Sequence, residues 1–536
     1  MSQFYDQASL VMIPSGYKNG KVYSQKPLSA DGELTFTRAS NASRVNADGL
    51  IEKVRTNLLT YSNDFSNAAW VVSGAPTLTP NYAENPLTGA NDAWRFQSAS
   101  ASDRIYQVFS GSFHTASLYA KGTGILRLRD SSGTYSTELV LTSSWQRISI
   151  VIPAAFGNVQ ITSNGGCDAT IYAAQLEAGD IATDYIPTTT AAVSVGPVSG
   201  LPRLDYSGGC PSLLLEPQRT NLVTYSEQFD NAAWSKVNAT ITANDAVSPD
   251  GYTNADKLVS TGGASRIEIF PTFADNTIYT ASIFAKQGNV DYIMVNVRDK
   301  NNVQHNTYFD LSDGTKGSSN GSPISTSIEA VGDYYRVSIT IDSSSGGTTP
   351  RVQYLIANTD NNVVTASGEY IHIYGAQLEA GSYATSYIGP TLGSAVSRNA
   401  DSAYKTGISS LIGQTEGTIF FEVNDFSYNP QVVLFKITGL ISSQTRTTNQ
   451  IRFEGVGYDY FYTPTQKHLK IAAAYTASTI VIYINGAQVH EDTSVTITGG
   501  SNLLFNESGN GTEVLAQALL FKTRLTNAQL AELTAL

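Results

Sequence analysis

Residues 50–70 read LIEKVRTNLLTYSNDFSNAAW, and residues 214–234 read LLEPQRTNLVTYSEQFDNAAW. Fourteen of these 21 positions are identical, at an offset of 164 residues. Further along, residues 115–121 (TASLYAK) match residues 280–286 (TASIFAK) at an offset of 165. The segments YAAQLEAGDIATDYI (172–186) and YGAQLEAGSYATSYI (374–388) share 11 of 15 positions at an offset of 202. One domain therefore occurs twice, with the same start, middle and end. The second copy is longer by 37 residues (202 less 165), all inserted after the middle strand. Surface loops and hairpins absorb such insertions, because lengthening a loop adds little closure entropy. A period this long means tandem domains, not a solenoid of short repeats.

Inside each copy the hydrophobic period is two. In residues 147–152 (RISIVI), Ile148, Ile150 and Ile152 face one way; in residues 336–341 (RVSITI), Val337, Ile339 and Ile341 do the same. Residues 292–297 and 266–270 add similar runs. Short alternating runs separated by Gly, Ser, Asn and Asp predict antiparallel strands packed as a β-sandwich. The tail from about residue 393 has its own strands at 417–423 (GTIFFEV) and 480–484 (IVIYI). Asn485-Gly486 follows the second, and that dipeptide suits the positive φ angles of a tight hairpin. Thr526-Asn-Ala-Gln529 is a capping box opening a short helix through Leu530 and Leu533. The fold class is all-β: three antiparallel β-sandwich (jelly-roll) domains in tandem behind a short N-terminal arm. The expected boundaries are 1–49 for the arm, 50–191 for the first copy and 192–213 for a connector. The second copy then spans 214–392, and the C-terminal sandwich 393–536.

Composition narrows the function. The 536 residues carry 33 Lys and Arg against 45 Asp and Glu, a net charge of −12. Nucleic acids are held by neutralising phosphates with basic side chains, so a chain this acidic is a poor general polyanion binder. Only 15% of residues are charged, below the ~25% usual for soluble domains. Two cysteines, Cys167 and Cys210, exclude a disulfide framework and Cys-rich zinc sites. The first residues lack the basic and apolar regions of a secretory signal. No run of 18 apolar residues exists, so no membrane-spanning helix is expected.

The copies that begin RTNL-x-TYS-x-x-F-x-NAAW and close with YxAQLEAG-x-x-AT-x-YI resemble the head-spike or fibre domain of tailed-phage virion proteins. That domain is itself similar to carbohydrate-binding-module sandwiches. Residues 200–216 (GLPRLDYSGGCPSLLLE) and 13–52 look like the connecting segments of such proteins. The region from about 398 to the end resembles a concanavalin A-like, laminin-G-like jelly roll. The resemblance implies a virion fibre or spike subunit, non-enzymatic and homotrimeric. It would be anchored to capsid or tail proteins through the N-terminal arm, made in the host cytoplasm and carried on the particle. It also admits calcium in the sandwiches, with no other cofactor.

Few residues suggest chemistry. There is no P-loop, no HExxH and no Gly-x-Ser-x-Gly elbow, and the five histidines are scattered without metal spacing. Gly122-Thr-Gly124 lacks the third glycine of a dinucleotide loop, and Asp310–Gly314 reads as a hairpin turn. Glu177 and Glu379 occupy equivalent places in the AQLEAG strands. Each reads as a calcium ligand or acid/base, or as a carboxylate bonded to backbone at a strand end. Structure is favoured, because hydrolysis needs a second carboxylate and a cleft. Trp70 with Trp234, and Arg55 with Arg219, read as repeat architecture. The tract GYDYFYT (457–463) is more suggestive. On a strand, Tyr458, Tyr460 and Tyr462 share one face, where tyrosine rings stack on sugars and supply hydroxyls. The other reading is a face packed on a neighbouring sheet or subunit. The functional expectation is a projecting fibre or spike whose tip contacts glycans. The alternatives are a polysaccharide depolymerase, which needs a carboxylate pair, and a bacterial surface lectin or adhesin.

Overall fold

The computed structural model describes residues 2–111, 113–390, 393–426, 433–446, 450–497, 499–506 and 511–536. The chain forms two compact units: Val54–Gly196, and Met1–Lys53 together with Pro197–Leu536. Every strand pairing among the described residues is antiparallel. No helix among them is long and apolar enough to cross a membrane.

The unit Val54–Gly196 is the first copy of the repeat. Two long strands, His114–Asp130 and Phe156–Ala178, pair with each other along most of their length. The remaining strands attach to this pair. Arg104–Gly111 pairs with the first half of Phe156–Ala178 and Ala93–Ser98 with its second half. The long pair slips register just after Gly122 and Gly124, which sit at φ 138° and 91°. A Cβ on Gly124 would lie 2.7 Å from the Gly166 carbonyl oxygen, so backbone meets backbone there. That close approach is the structural use of this glycine pair. Leu118, Leu128, Ile150, Ile161 and Trp70 fill the core.

In the second copy the corresponding strands are interrupted and form two separate six-stranded sheets. One runs in the order Ser235–Val237, Arg266–Ile269, Arg351–Ala357, Tyr292–Arg298, Gln304–Asp310, Thr315–Asn320. The other runs Ala239–Val247, Thr253–Ser260, Tyr370–Ala380, Ile278–Lys286, Tyr334–Asp342, Ser325–Val331. Phe229, Trp234, Ile283, Val295, Ile339 and Tyr354 belong to the shared core. The inserted hairpin places Thr315–Asn320 and Ser325–Val331 at the edge of each sheet, where extra residues disturb no core position. Asp310–Gly314 is the turn at one end of it, with Asp310 Oδ1 accepting the Ser312 amide at 2.9 Å.

The C-terminal sandwich packs an eight-stranded sheet on a nine-stranded one. Here residues 1–49 depart from expectation. They form no separate arm: Leu10–Met12 pairs with Glu513–Phe521, and Leu34–Thr37 pairs with Ser402–Thr406. The expected connector also joins this sandwich, through Ser212–Leu215 on Glu513–Phe521. The physical reason is edge pairing. Each of these short apolar strands completes a sheet whose own residues leave an edge open. The capping box at Thr526 starts the helix Asn527–Leu533, which buries Leu530 and Leu533.

A buried ionic cluster ties these segments. Arg38 Nη1 lies 3.0 Å from Asp401, Arg203 Nη1 2.7 Å from Glu216, and Arg398 Nη1 2.9 Å from Glu216. Arg203 also pairs with Asp401. Ser386 donates its amide to Glu216 Oε1 at 2.7 Å and its hydroxyl to Oε2. Burial alone would raise the Glu216 carboxyl, but Arg398 and Arg203 overcome it and hold the group at about 2.

Candidate functional site

The residues shared by the two copies hold each copy shut. Asn57 donates to the carbonyls of Ala174 and Ile186 and accepts the amides of Leu59 and Leu176. Asn221 does the same with Ala376, Ile388, Val223 and Leu378. Trp70 and Trp234 are buried and donate Nε1 to the carbonyls of Tyr61 and Tyr225. Arg219 lies 3.8 Å from Glu379.

Glu177 and Glu379 are buried, and both carboxylates staple the closing loop. Glu177 accepts the Thr183 amide at 2.7 Å and Gln175 Nε2 at 2.9 Å. Glu379 accepts the Thr385 amide at 2.8 Å, the Thr385 hydroxyl at 2.7 Å and Gln377 Nε2 at 2.6 Å. Among the described residues no three His, Cys, Asp or Glu side chains converge as metal ligands.

The strand Tyr458–Tyr462 alternates as expected, with the tyrosine face turned inward. Tyr458 is buried, and its hydroxyl points to the Leu440 carbonyl. Tyr460 and Tyr462 are half-buried against the core, and the Tyr460 ring stacks on His490 at 4.5 Å. Asp459 and Phe461 are the exposed pair, with Asp459 bonded to Arg452 at 2.7 Å. Tyr458 lines an open cleft of about 330 Å³ together with Lys436, Ser442, Arg452 and Glu454.

Sequence reasoning missed a second kind of surface, on the outer face of one sheet layer in each copy. In the second copy, Glu268, Gln353 and Asn296 lie side by side on three adjacent strands. Gln353 Nε2 donates to Glu268, and Asn296 Nδ2 donates to Gln353 Oε1 at 2.7 Å. Asn296 is only 2% exposed, and its Oδ1 has no hydrogen-bond partner. Two residues along, Arg351 and Arg298 are direct cross-strand neighbours. Phe270, 58% exposed, lies under the Arg351 guanidinium at 5.6 Å from the ring centre. Burial, then the charges of Arg351 and Arg266, hold the Arg298 guanidinium below its usual range.

The first copy has a related array. Arg104, Thr162, Arg127 and Glu138 form one row across four strands. Tyr106, Gln160 and Arg129 form the next. Arg129 Nε donates to Gln160 Oε1 at 2.8 Å, while Arg127 pairs with Glu138. Arg104 and Arg351 have no ion pair among the described residues, and their buried Nε atoms have no acceptor. No spacing in the sequence groups these arginines, because they come from strands far apart in the chain.

No protein-family model matches the sequence, and no curated protein does. Matched solved structures include a Bacteroides ovatus protein assigned a carbohydrate-binding role, at 11% identity. It covers 51% of this chain and 80% of its own, with a TM-score of 0.19. The LG1-3 region of the laminin alpha2 chain matches at 8% identity over 97% of each chain, with a TM-score of 0.19. A Trypanosoma rangeli sialidase matches at 11% identity over 98% of this chain and 97% of its own, with a TM-score of 0.22. Superpositions this loose carry no argument about function. The sialidase matches nevertheless correct one expectation: the chain can no longer be written down as non-enzymatic. The larger unit also holds a buried carboxylate pair. Glu227 and Asp250 both accept from the Tyr374 hydroxyl, at 3.0 and 2.9 Å, with Lys53 bonded to both.

Proposed function

We propose that this protein binds carbohydrate through the outer sheet face of its second repeat. The observation that carries the reading is the row Glu268–Gln353–Asn296, flanked by the exposed Phe270 ring. Sugar hydroxyls need paired donors and acceptors held in fixed geometry, and an aromatic face to cover the apolar side of the ring. The Tyr458 cleft of the C-terminal sandwich is the second contact surface in this reading, with Lys436 and Glu454 as its polar rim.

The same reading extends to context. The repeat motifs support a fibre or spike subunit of a tailed-phage particle, trimeric and attached to capsid or tail proteins. Because residues 1–49 are built into the C-terminal sandwich, attachment would use the surface of that sandwich. Several weak sites on one trimer would act together and raise avidity.

A glycan array with the intact chain, followed by calorimetry on the best ligand, tests the binding. Phe270→Ala and Gln353→Ala should each weaken it by about tenfold, the loss of one stacking or hydrogen-bonding contact. An empty array overturns the reading. Mass measurement in solution and detection of the chain in purified particles test the fibre assignment.

A further inference from the structure

The arginines of the two outer faces present an electrostatic problem that the fold leaves open. In the first copy, Arg104 and Arg127 flank Thr162 on adjacent strands, with Arg129 two residues along. Glu138 pairs with Arg127. Among the described residues Arg104 has neither an ion pair nor an acceptor for its buried Nε. In the second copy, Arg351 stands directly opposite Arg298, and Arg266 bonds Glu268 at 3.1 Å. Arg351 again has no ion pair among the described residues, and its buried Nε has no acceptor. Each face therefore gathers three guanidinium groups against one carboxylate. Like charges at such spacing repel, and partial burial strengthens the repulsion by lowering the effective dielectric. Burial, then Arg104 and Arg127, hold the Arg129 guanidinium below its usual range, the same effect seen at Arg298.

Two features argue that the charges serve a ligand. The chain carries a net charge of −12, so solubility gains nothing from unpaired cations on these faces. The arrangement also recurs in both copies on corresponding strands, Arg104 with Arg266 and Arg129 with Arg298, beside different polar neighbours: Thr162 and Gln160 in one, Gln353 and Asn296 in the other. A planar guanidinium beside an amide or hydroxyl matches a carboxylate or sulfate on a sugar ring, because its N–H groups donate in parallel to two oxygens.

We propose that these faces bind an acidic glycan, its carboxylate or sulfate groups held by Arg104 with Arg127 in the first copy and by Arg351 with Arg298 in the second. This inference rests on the carbohydrate-binding reading above and adds the ligand class. The acidic remainder of the chain repels a polyanion at long range, so recognition is confined to these contacts and falls as salt rises.

The test uses the intact chain and four probes in calorimetry at physiological salt: a neutral dextran oligomer, its sulfated form, a galacturonate oligomer and duplex DNA. The sulfated or the galacturonate oligomer should bind at least tenfold tighter than neutral dextran. Preference for one of the two identifies the group recognised, sulfate or carboxylate. The double variants Arg104→Gln/Arg127→Gln and Arg298→Gln/Arg351→Gln should each remove most of the preference. Arg→Lys at the same positions should restore only part of it, since lysine cannot donate in parallel. Melting temperatures report whether each variant remains folded, and one that unfolds is replaced by its single Arg104→Gln or Arg351→Gln form. Equal binding of neutral and acidic oligomers overturns the inference while sparing the carbohydrate reading. DNA binding as tight as acidic glycan overturns it too. Failure of every oligomer, together with an empty glycan array, overturns both.

Discussion

Ala173 and Gly375 hold the same position in the two closing strands, at φ 60° and 61°. Each sits where the paired strand slips register, between Ser117 and Tyr119 in one copy and between Ser282 and Phe284 in the other. A left-handed backbone costs a residue with a Cβ about 1–2 kcal/mol. A Cβ at Gly375 would also lie 3.0 Å from Phe284 and 3.2 Å from Tyr387. Gly375→Ala should therefore lower stability by about 1–2 kcal/mol, read as a lower urea midpoint at unchanged slope. Ala173→Gly should change stability by less than about 1 kcal/mol, because relieved strain and added unfolded-chain entropy offset each other. A Gly375→Ala variant as stable as the parent, or more so, would show that the bulge carries no strain. The sequence displays this pair only as an unremarkable A/G difference within YxAQLEAG, since backbone conformation is invisible until strands pair.

At the scale of the element, the closing hairpin is the clearest unit. Its staple is a carboxylate accepting from a threonine six residues on, and it recurs at Glu177–Thr183 and Glu379–Thr385. Removing a buried acceptor strands its donors, at about 1–3 kcal/mol for each buried group left unsatisfied. Glu379→Ala should destabilise the second copy by about 3 kcal/mol and speed amide hydrogen exchange at Thr385 and Ile388 beyond the rest of the sheet. Uniform exchange across that copy would mean the staple is not a local unit. The motif's spacing was legible in the sequence, and so was a carboxylate bonded to backbone at the strand end. The tyrosine strand was legible in its alternation but not in its direction. Which face of Tyr458–Tyr462 turns inward depends on the partner strand Gln450–Gly455 and on the sheet beneath.

At the scale of the molecule, Glu216 sits where four segments of the larger unit meet, between Arg203 and Arg398. Its folded value of about 2 lies below the ordinary 4.5. The sign follows from that depression: the contribution to stability is complete above the ordinary value and is lost as pH falls from 4.5 toward 2. Acid unfolding followed by tryptophan fluorescence should therefore show the larger unit losing stability across that window. Glu216→Gln should lower stability at neutral pH by about 3–5 kcal/mol, since it leaves buried arginines facing Asp401 alone, and should flatten the acid slope. An unchanged slope would show that the cluster does not govern acid stability.

By itself the sequence determined the duplication, the period-two strands, the Asn-Gly hairpin and the capped terminal helix. Each depends on residues close together in the chain, where alternation and turn chemistry act directly. Tertiary structure alone decided that Leu10 pairs with Leu520, that Arg38 meets Asp401, and that Arg104 stands one strand away from Thr162 and two from Arg127. Alternation tells which side of a strand a residue occupies, but its neighbour on that side is set by register across the sheet. Register is chosen by burial of the whole core, to which every strand contributes at once.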